Sequence, residues 1–172
     1  MKLKSFSVIY FISIIAISGQ LSNELIWSSR TFYPKNINGI NPSFDGDFYT
    51  SIERKNGQTE IVKYSYKKNK KIATLFSNFS FENFNFSDYD VSNDGNWVLL
   101  FNSKESIYRR SSKSYYYLYN IKEKSLKPLA DTLLGKQRLA TFSPDNSKIA
   151  YVRNNNLSVS YTHLRAHETP CH

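Results

Sequence analysis

One turn recurs three times along this chain, and its spacing limits the fold more than any other feature. Pro42-Ser43-Phe44-Asp45-Gly46 precedes the apolar run Phe48-Tyr49-Thr50-Ser51-Ile52. Val91-Ser92-Asn93-Asp94-Gly95 precedes Trp97-Val98-Leu99-Leu100-Phe101, and Phe142-Ser143-Pro144-Asp145-Asn146 precedes Lys148-Ile149-Ala150-Tyr151-Val152. The three aspartates are 49 and 51 residues apart. Each turn pairs an Asp, whose carboxylate accepts from nearby backbone, with a Gly or Asn that tolerates positive φ. A strand-rich unit repeating every ~50 residues reads as a propeller blade of four strands.

The residues between the turns fit that unit. Asn56-Gly57 is a strong two-residue hairpin signal leading into a strand over 60–66, and a second strand is expected over 72–76. In the next unit, strands are expected over 115–121 and 126–129, joined by the turn Lys122-Glu123-Lys124-Ser125. Outside the first 20 residues there is no sustained apolar stripe of helical period. Aromatic residues make up 16% of the chain, with 13 Tyr and 12 Phe, which suits half-buried pleated surfaces. The expected body is all-β, a partial propeller of about two and a half four-stranded blades over 41–157. Since closed propellers have roughly four to eight blades, the chain is expected to be the N-terminal piece of a longer protein.

The two ends differ from this body. Met1-Lys2-Leu3-Lys4 followed by an apolar run over 6–17, with small residues near Ser18 and Gly19, has the three-part form of a secretory signal peptide, here residues 1–19. The run is shorter than the ~20 residues a spanning helix needs. Export to the periplasm or the outside is the expectation, with membrane association left open. At the other end, all three histidines (His163, His167, His172) and the sole cysteine, Cys171, fall within ten residues. With Glu168 they look like metal ligands, and His163 and His167 have i, i+4 spacing. However, the composition changes abruptly after Leu157, and Tyr161-Thr162-His163-Leu164-Arg165-Ala166-His167-Glu168-Thr169 resembles translated sequencing-adapter sequence. Residues 158–172 are therefore set apart as an artefactual tail, and no metal site and no cofactor are expected.

The net charge of +9 is spread along the chain, so it bears on solubility more than on partners. Its densest run, Lys67-Lys68-Asn69-Lys70-Lys71, is read as a solvated hairpin tip, and no nucleic-acid partner is expected. No G-x-S-x-G nucleophile elbow occurs, and residues 1–157 contain no histidine to act as a base. The chain alone is expected to be inactive.

Several stretches carry a more specific resemblance. Thr141-Phe142-Ser143-Pro144-Asp145-Asn146-Ser147-Lys148-Ile149-Ala150-Tyr151-Val152 resembles a blade signature shared by TolB-type and prolyl-oligopeptidase-type propellers. Ile26-Trp27-Ser28-Ser29-Arg30-Thr31-Phe32-Tyr33-Pro34 resembles the entry segment of bacterial dipeptidyl peptidase IV relatives. Ser87-Asp88-Tyr89-Asp90-Val91-Ser92 is similar to that family's second-unit opening. Ile107-Tyr108-Arg109-Arg110-Ser111-Ser112-Lys113, with the strand Tyr115-Tyr116-Tyr117-Leu118-Tyr119, is similar to its arginine-bearing loop. Over about 24–157 the chain thus resembles the dipeptidyl peptidase IV-like serine peptidases of the prolyl oligopeptidase family.

That resemblance implies a propeller capping a C-terminal α/β-hydrolase domain that lies beyond this sequence, with residues 20–40 packing on the hydrolase. It implies an exopeptidase that removes N-terminal dipeptides with Pro or Ala second, and it admits a homodimer of the full-length protein. Arg109 is implied as the substrate-binding arginine that donates to the substrate's carbonyl oxygen. Its guanidinium offers several donors in a fixed fork and stays charged at any working pH. Many relatives carry Trp and His where this chain has Tyr108 and Arg110, which leaves Arg110 without an implied role. The implied catalytic residues lie outside this sequence. The competing reading is a non-catalytic TolB-like propeller module that binds a partner in the periplasm.

Overall fold

The computed structural model describes residues 21–33, 39–82 and 84–162, and the backbone of 169–170. The leader, residues 34–38 of the entry segment and the histidine-bearing tail, with the ligand-like set His163, His167, Glu168, Cys171 and His172, lie outside the described residues. The chain divides into two compact units, Met1–Asn36 and Ile37–His172.

In the first unit a short helix, α1 (Asn23–Trp27), starts at Ser22, whose Oγ accepts from the Leu25 N–H at 3.0 Å as an N-cap. A single 3-10 turn, Arg30–Phe32, follows.

The second unit is built from three antiparallel four-stranded sheets. The first contains β1 (Asn41–Pro42), β2 (Phe48–Lys55), β3 (Gln58–Ser65) and β4 (Lys70–Ser77). The second contains β5 (Asp88–Val91), β6 (Trp97–Tyr108), β7 (Ser111–Asn120) and β8 (Ser125–Pro128). The third contains β9 (Arg138–Phe142), β10 (Lys148–Arg153), β11 (Asn156–Tyr161) and a two-residue β12 (Thr169–Pro170). Strand order follows the chain within every sheet, the up-and-down pattern of a propeller blade.

The third sheet is fuller than the half-blade expected from the sequence. Ser158, Val159, Ser160 and Tyr161 pair with Tyr151, Ala150, Ile149 and Lys148. The change in composition after Leu157 therefore falls within β11 and does not end the sheet. The alternation of buried Ser158 and Ser160 with half-buried Val159 and Tyr161 is a period-2 strand pattern that a tally of residue types overlooks.

The recurring turns are equivalent in geometry. Ser43, Ser92 and Ser143 each donate their backbone N–H to the carbonyl five residues on, Phe48, Trp97 and Lys148, at 2.9, 3.0 and 2.8 Å. Gly46, Gly95 and Asn146 donate back to the carbonyls of those serines at 3.0, 2.8 and 2.9 Å, with φ of 73°, 68° and 60°. Oδ1 of Asp45, Asp94 and Asp145 accepts the N–H two residues later at 3.2, 3.1 and 3.1 Å. Each turn joins the first strand of its sheet to the second. Asn56 and Gly57, at φ of 51° and 80°, form the type I′ hairpin between β2 and β3. The lysine-rich run covers the exposed turn between β3 and β4 and the start of β4.

Neighbouring sheets pack face to face, and β6 contributes to both interfaces through its period of two. Val98 and Leu100 are fully buried against Ile61 and Phe76 of the first sheet, while Leu99 is fully buried against Ile149 and Tyr151 of the third. Burying each such aliphatic side chain stabilises the fold by ~1.5–3 kcal/mol. The abundance of aromatics is accounted for here as well. The Phe76 ring stacks on Phe81 at 5.5 Å and meets Phe86 and Tyr119 edge-on at 5.4 and 5.0 Å, arrangements that favour ring quadrupoles. Polar ties cross the same interfaces: the Tyr89 hydroxyl donates to Thr50 Oγ1 at 2.9 Å, and Lys127 Nζ donates to the Thr162 carbonyl at 3.1 Å.

Candidate functional site

β6 and β7 extend beyond their own sheet. β5 pairs with β6 only as far as Phe101, and β8 pairs with β7 only over Tyr117–Asn120. From Asn102 to Tyr115 the two strands continue as a ribbon with exposed residues over 103–110. Its register shifts twice, between Asn102 and Glu105 and between Ser106 and Tyr108, and Ser103 takes φ 50°. Such irregularities strengthen twist and re-aim the strand beyond them. The local sequence Ser-Lys-Glu-Ser is polar on both faces, so no apolar face draws the ribbon back onto the sheet.

Arg109 and Arg110 form the turn at the tip of this arm, and both are exposed. Tyr108, next to them, is 79% exposed. Two guanidinium groups and a phenol are thus presented together, all of them hydrogen-bond donors. The structure brings together the residues of the arginine-bearing motif. It does not bring Arg109 near the three recurring aspartates, which serve as turn residues.

Three contacts along the arm involve residues that the sequence did not single out. Ser114 and Gln137 exchange backbone hydrogen bonds at 2.9 Å in both directions. Arg138 Nη2 donates to Ser111 Oγ at 3.1 Å. Glu105 accepts from Lys113 Nζ at 3.0 Å on Oε1 and from Lys136 Nζ at 3.1 Å on Oε2. Those hydrogen bonds, Lys113 first and then Lys136, hold the Glu105 carboxyl below the usual carboxylate range. Apart from Lys113, which is eight positions from Glu105, the partners are 23 to 31 residues apart in sequence, and no local motif signals such pairs.

A groove of about 400 Å³ opens between the first and second sheets, lined by Asn41, Thr50, Lys63, Asp90 and the Asp45 and Asp94 turns among others. Among the described residues, no group of three or more His, Cys, Asp or Glu side chains is placed to hold a metal ion. No helix among them is long and apolar enough to cross a membrane.

Three consecutively packed four-stranded sheets, each with the same turn between its first two strands and with a projecting arm on the second sheet, define a run of β-propeller blades. Residues 92–168 match the family model described as the dipeptidyl peptidase IV (DPP IV) N-terminal region. Over this stretch the chain is similar to the N-terminal propeller region of dipeptidyl peptidase IV. It is 39% identical over 72 residues to dipeptidyl peptidase 4 of Trichophyton rubrum, covering 42% of this chain and 9% of that protein. It is 36% identical over 74 residues to dipeptidyl peptidase 4 of Arthroderma otae, covering 43% and 10%. Among solved structures, Porphyromonas gingivalis dipeptidyl peptidase 4 superposes with a TM-score of 0.72 at 34% identity, over 87% of this chain and 21% of that one. The chain therefore spans about a tenth of the curated relatives' length and about a fifth of the Porphyromonas structure.

Proposed function

We propose that these blades belong to an exported serine-type dipeptidyl peptidase that removes Xaa-Pro or Xaa-Ala dipeptides from peptide N-termini. The blades gate and position the peptide, and a hydrolase domain encoded beyond residue 172 carries the nucleophile, base and acid. The arm carries this reading: it presents Arg109 on an exposed tip, within a chain 34% identical to a dipeptidyl peptidase 4 over 87% of its length. In this role the Arg109 guanidinium donates to a carbonyl oxygen of the bound peptide and orients the scissile bond. Correct placement of a reacting group removes much of the entropic barrier without any bond chemistry by the placing residue.

The protein expressed from the complete gene tests this with three substrates: Gly-Pro-p-nitroanilide, its N-acetylated form and Gly-Leu-p-nitroanilide. Hydrolysis of the free-amine Gly-Pro substrate alone supports the proposal. Cleavage of the acetylated substrate would replace the exopeptidase with an endopeptidase. No hydrolysis, with no labelling by a fluorophosphonate probe for active serines, would favour the TolB-like binding module.

A further inference from the structure

The arm that carries Arg109 is a two-stranded ribbon beyond Asn102, with two register shifts. A pair of strands on its own is marginally stable in water. An arginine that must meet one carbonyl oxygen has to be held to within ~0.5 Å of its productive position by its supporting residues. That support comes from the segment leading into the third sheet. Beyond the end of β8, Gln137 takes over the same edge of β7, with its two backbone bonds to Ser114. Its side chain continues the brace: Oε1 accepts from the Tyr116 N–H at 3.3 Å and Nε2 donates to the Gly135 carbonyl at 3.1 Å. Gln137 is 1% exposed, so this attachment is dry and fixed.

The only acidic side chain in the arm, Glu105, lies further out. Both of its oxygens are engaged, each by a lysine from a different element: Lys113 on β7 and Lys136 on the approach to β9. The other charged side chains of the ribbon, Lys104, Arg109 and Arg110, are also cationic, with Lys104 paired to Asp88 at 3.4 Å. Removing the carboxylate would leave Lys113 and Lys136 facing each other without a counter-charge. The loss would thus include a new repulsion as well as two lost attractions.

We propose that Glu105 and Lys136 are positioning residues for Arg109: their ion pair ties the ribbon to the third sheet's approach and sets the direction in which the arginine-bearing tip leaves the blade. The clamp itself is independent of what the protein does; its bearing on turnover rests on the dipeptidyl peptidase reading above.

The test uses the protein from the complete gene and three variants: Glu105→Gln, Lys136→Met and the exchange Glu105→Lys with Lys136→Glu. Hydrogen exchange at amides 104–112 reports the clamp directly, with β2 and β3 as the internal control. KM and kcat for Gly-Pro-p-nitroanilide report positioning. Both single variants are expected to speed exchange over 104–112 by about two- to fivefold, the scale of an exposed ion pair. They should leave β2 and β3 unchanged and raise KM more than they lower kcat. The charge exchange should restore both readouts in large part, and 1 M salt should move the wild type toward the variants, because the Debye length then falls to ~3 Å. Unchanged exchange over 104–112 in Glu105→Gln overturns the clamp whatever happens to turnover. Faster exchange with unaltered KM and kcat overturns the positioning role. Faster exchange in a protein that hydrolyses none of the dipeptide substrates supports the clamp and removes the peptidase reading instead.

Discussion

The backbone N–H of Asn93 donates to Oδ1 of Asn146 at 3.0 Å, tying the turn before β6 to its counterpart before β10, 53 residues further on. Asn146 occupies the left-handed position that glycine fills in the other two turns. One side chain thus tolerates the turn's backbone and bridges two blades, and glycine can do only the first. Asn146→Gly should cost about 0.5–1 kcal/mol, the net value of one partly solvated hydrogen bond. Asn146→Ala should cost more, ~1–2 kcal/mol in all, because alanine keeps the Cβ crowded at φ 60° but lacks the amide whose local hydrogen bonding lets asparagine adopt that conformation. Urea unfolding of the two variants checks the order, and equal losses would show that the backbone conformation is not what Asn146 supplies.

The same turn should show in the acid stability of the protein. Ser143 Oγ donates to the Asp145 carboxylate at 2.5 Å, and Ser147 donates through Oγ at 2.7 Å and through its N–H at 3.1 Å. These bonds hold the carboxyl at about 2, against about 3.9 for a free Asp. A depressed acid contributes its stabilisation in full above the unfolded pKa and loses it as pH falls toward the folded one. The contribution of Asp145 is therefore complete above about pH 4 and fades between about pH 4 and pH 2. At Asp94, partial burial pushes the carboxyl up, but bonds from Ser92 and Asn96 outweigh it and the net shift is downward. Asp145→Asn should lower the melting temperature at pH 6 and flatten its fall between pH 4 and 2, and adding Asp94→Asn should flatten it further. Melting curves at pH 2, 3, 4 and 6 read this out, and a variant with the slope of the wild type would refute it.

Adjacent leucines on β6 should report on different interfaces. Leu100→Ala removes a fully buried side chain from the packing of the first two sheets, and Leu99→Ala removes one from the packing of the second and third. Each should cost about 2–5 kcal/mol. Hydrogen exchange should speed up around Ile61 and Phe76 for Leu100→Ala, and around Ile149 and Tyr151 for Leu99→Ala. The same pattern of faster exchange in both variants would contradict the assignment of the two faces.

What the sequence reveals and what it hides divide along sequence distance. Each recurring turn keeps its serine, aspartate and left-handed residue within four positions, so the residues alone show the motif and its repeat. The alternation on β6 is equally local. The brace on the arm is not: Gln137 and Ser114, or Lys136 and Glu105, meet only because two blades pack, and an isolated Lys, Glu or Gln carries no sign of its partner. β12 is only two residues long, too short for an alternating sequence pattern to be read. At the tip, only the resemblance to a family motif sets Arg109 apart, since an exposed arginine in a turn ordinarily does nothing but meet solvent.

Arg109 therefore needs a direct test in the protein from the complete gene. If its guanidinium holds a substrate carbonyl, Arg109→Ala removes a charge-assisted hydrogen bond of ~1.5–3 kcal/mol, a loss of roughly ten- to over a hundredfold in kcat/KM. Arg109→Lys should recover only part of that, because a single ammonium cannot reproduce the fork. The melting temperature should hardly move, since exposed substitutions away from caps and cores usually stay within about 0.5 kcal/mol. Arg110→Ala, one position along the same exposed turn, is the control for charge alone. Steady-state hydrolysis of Gly-Pro-p-nitroanilide by the four proteins separates the cases. An unchanged kcat/KM in well-folded Arg109→Ala would return Arg109 to a solvated turn residue. A loss on Arg110→Ala as large as that on Arg109→Ala would mean that the tip acts through its charge and not through one placed fork.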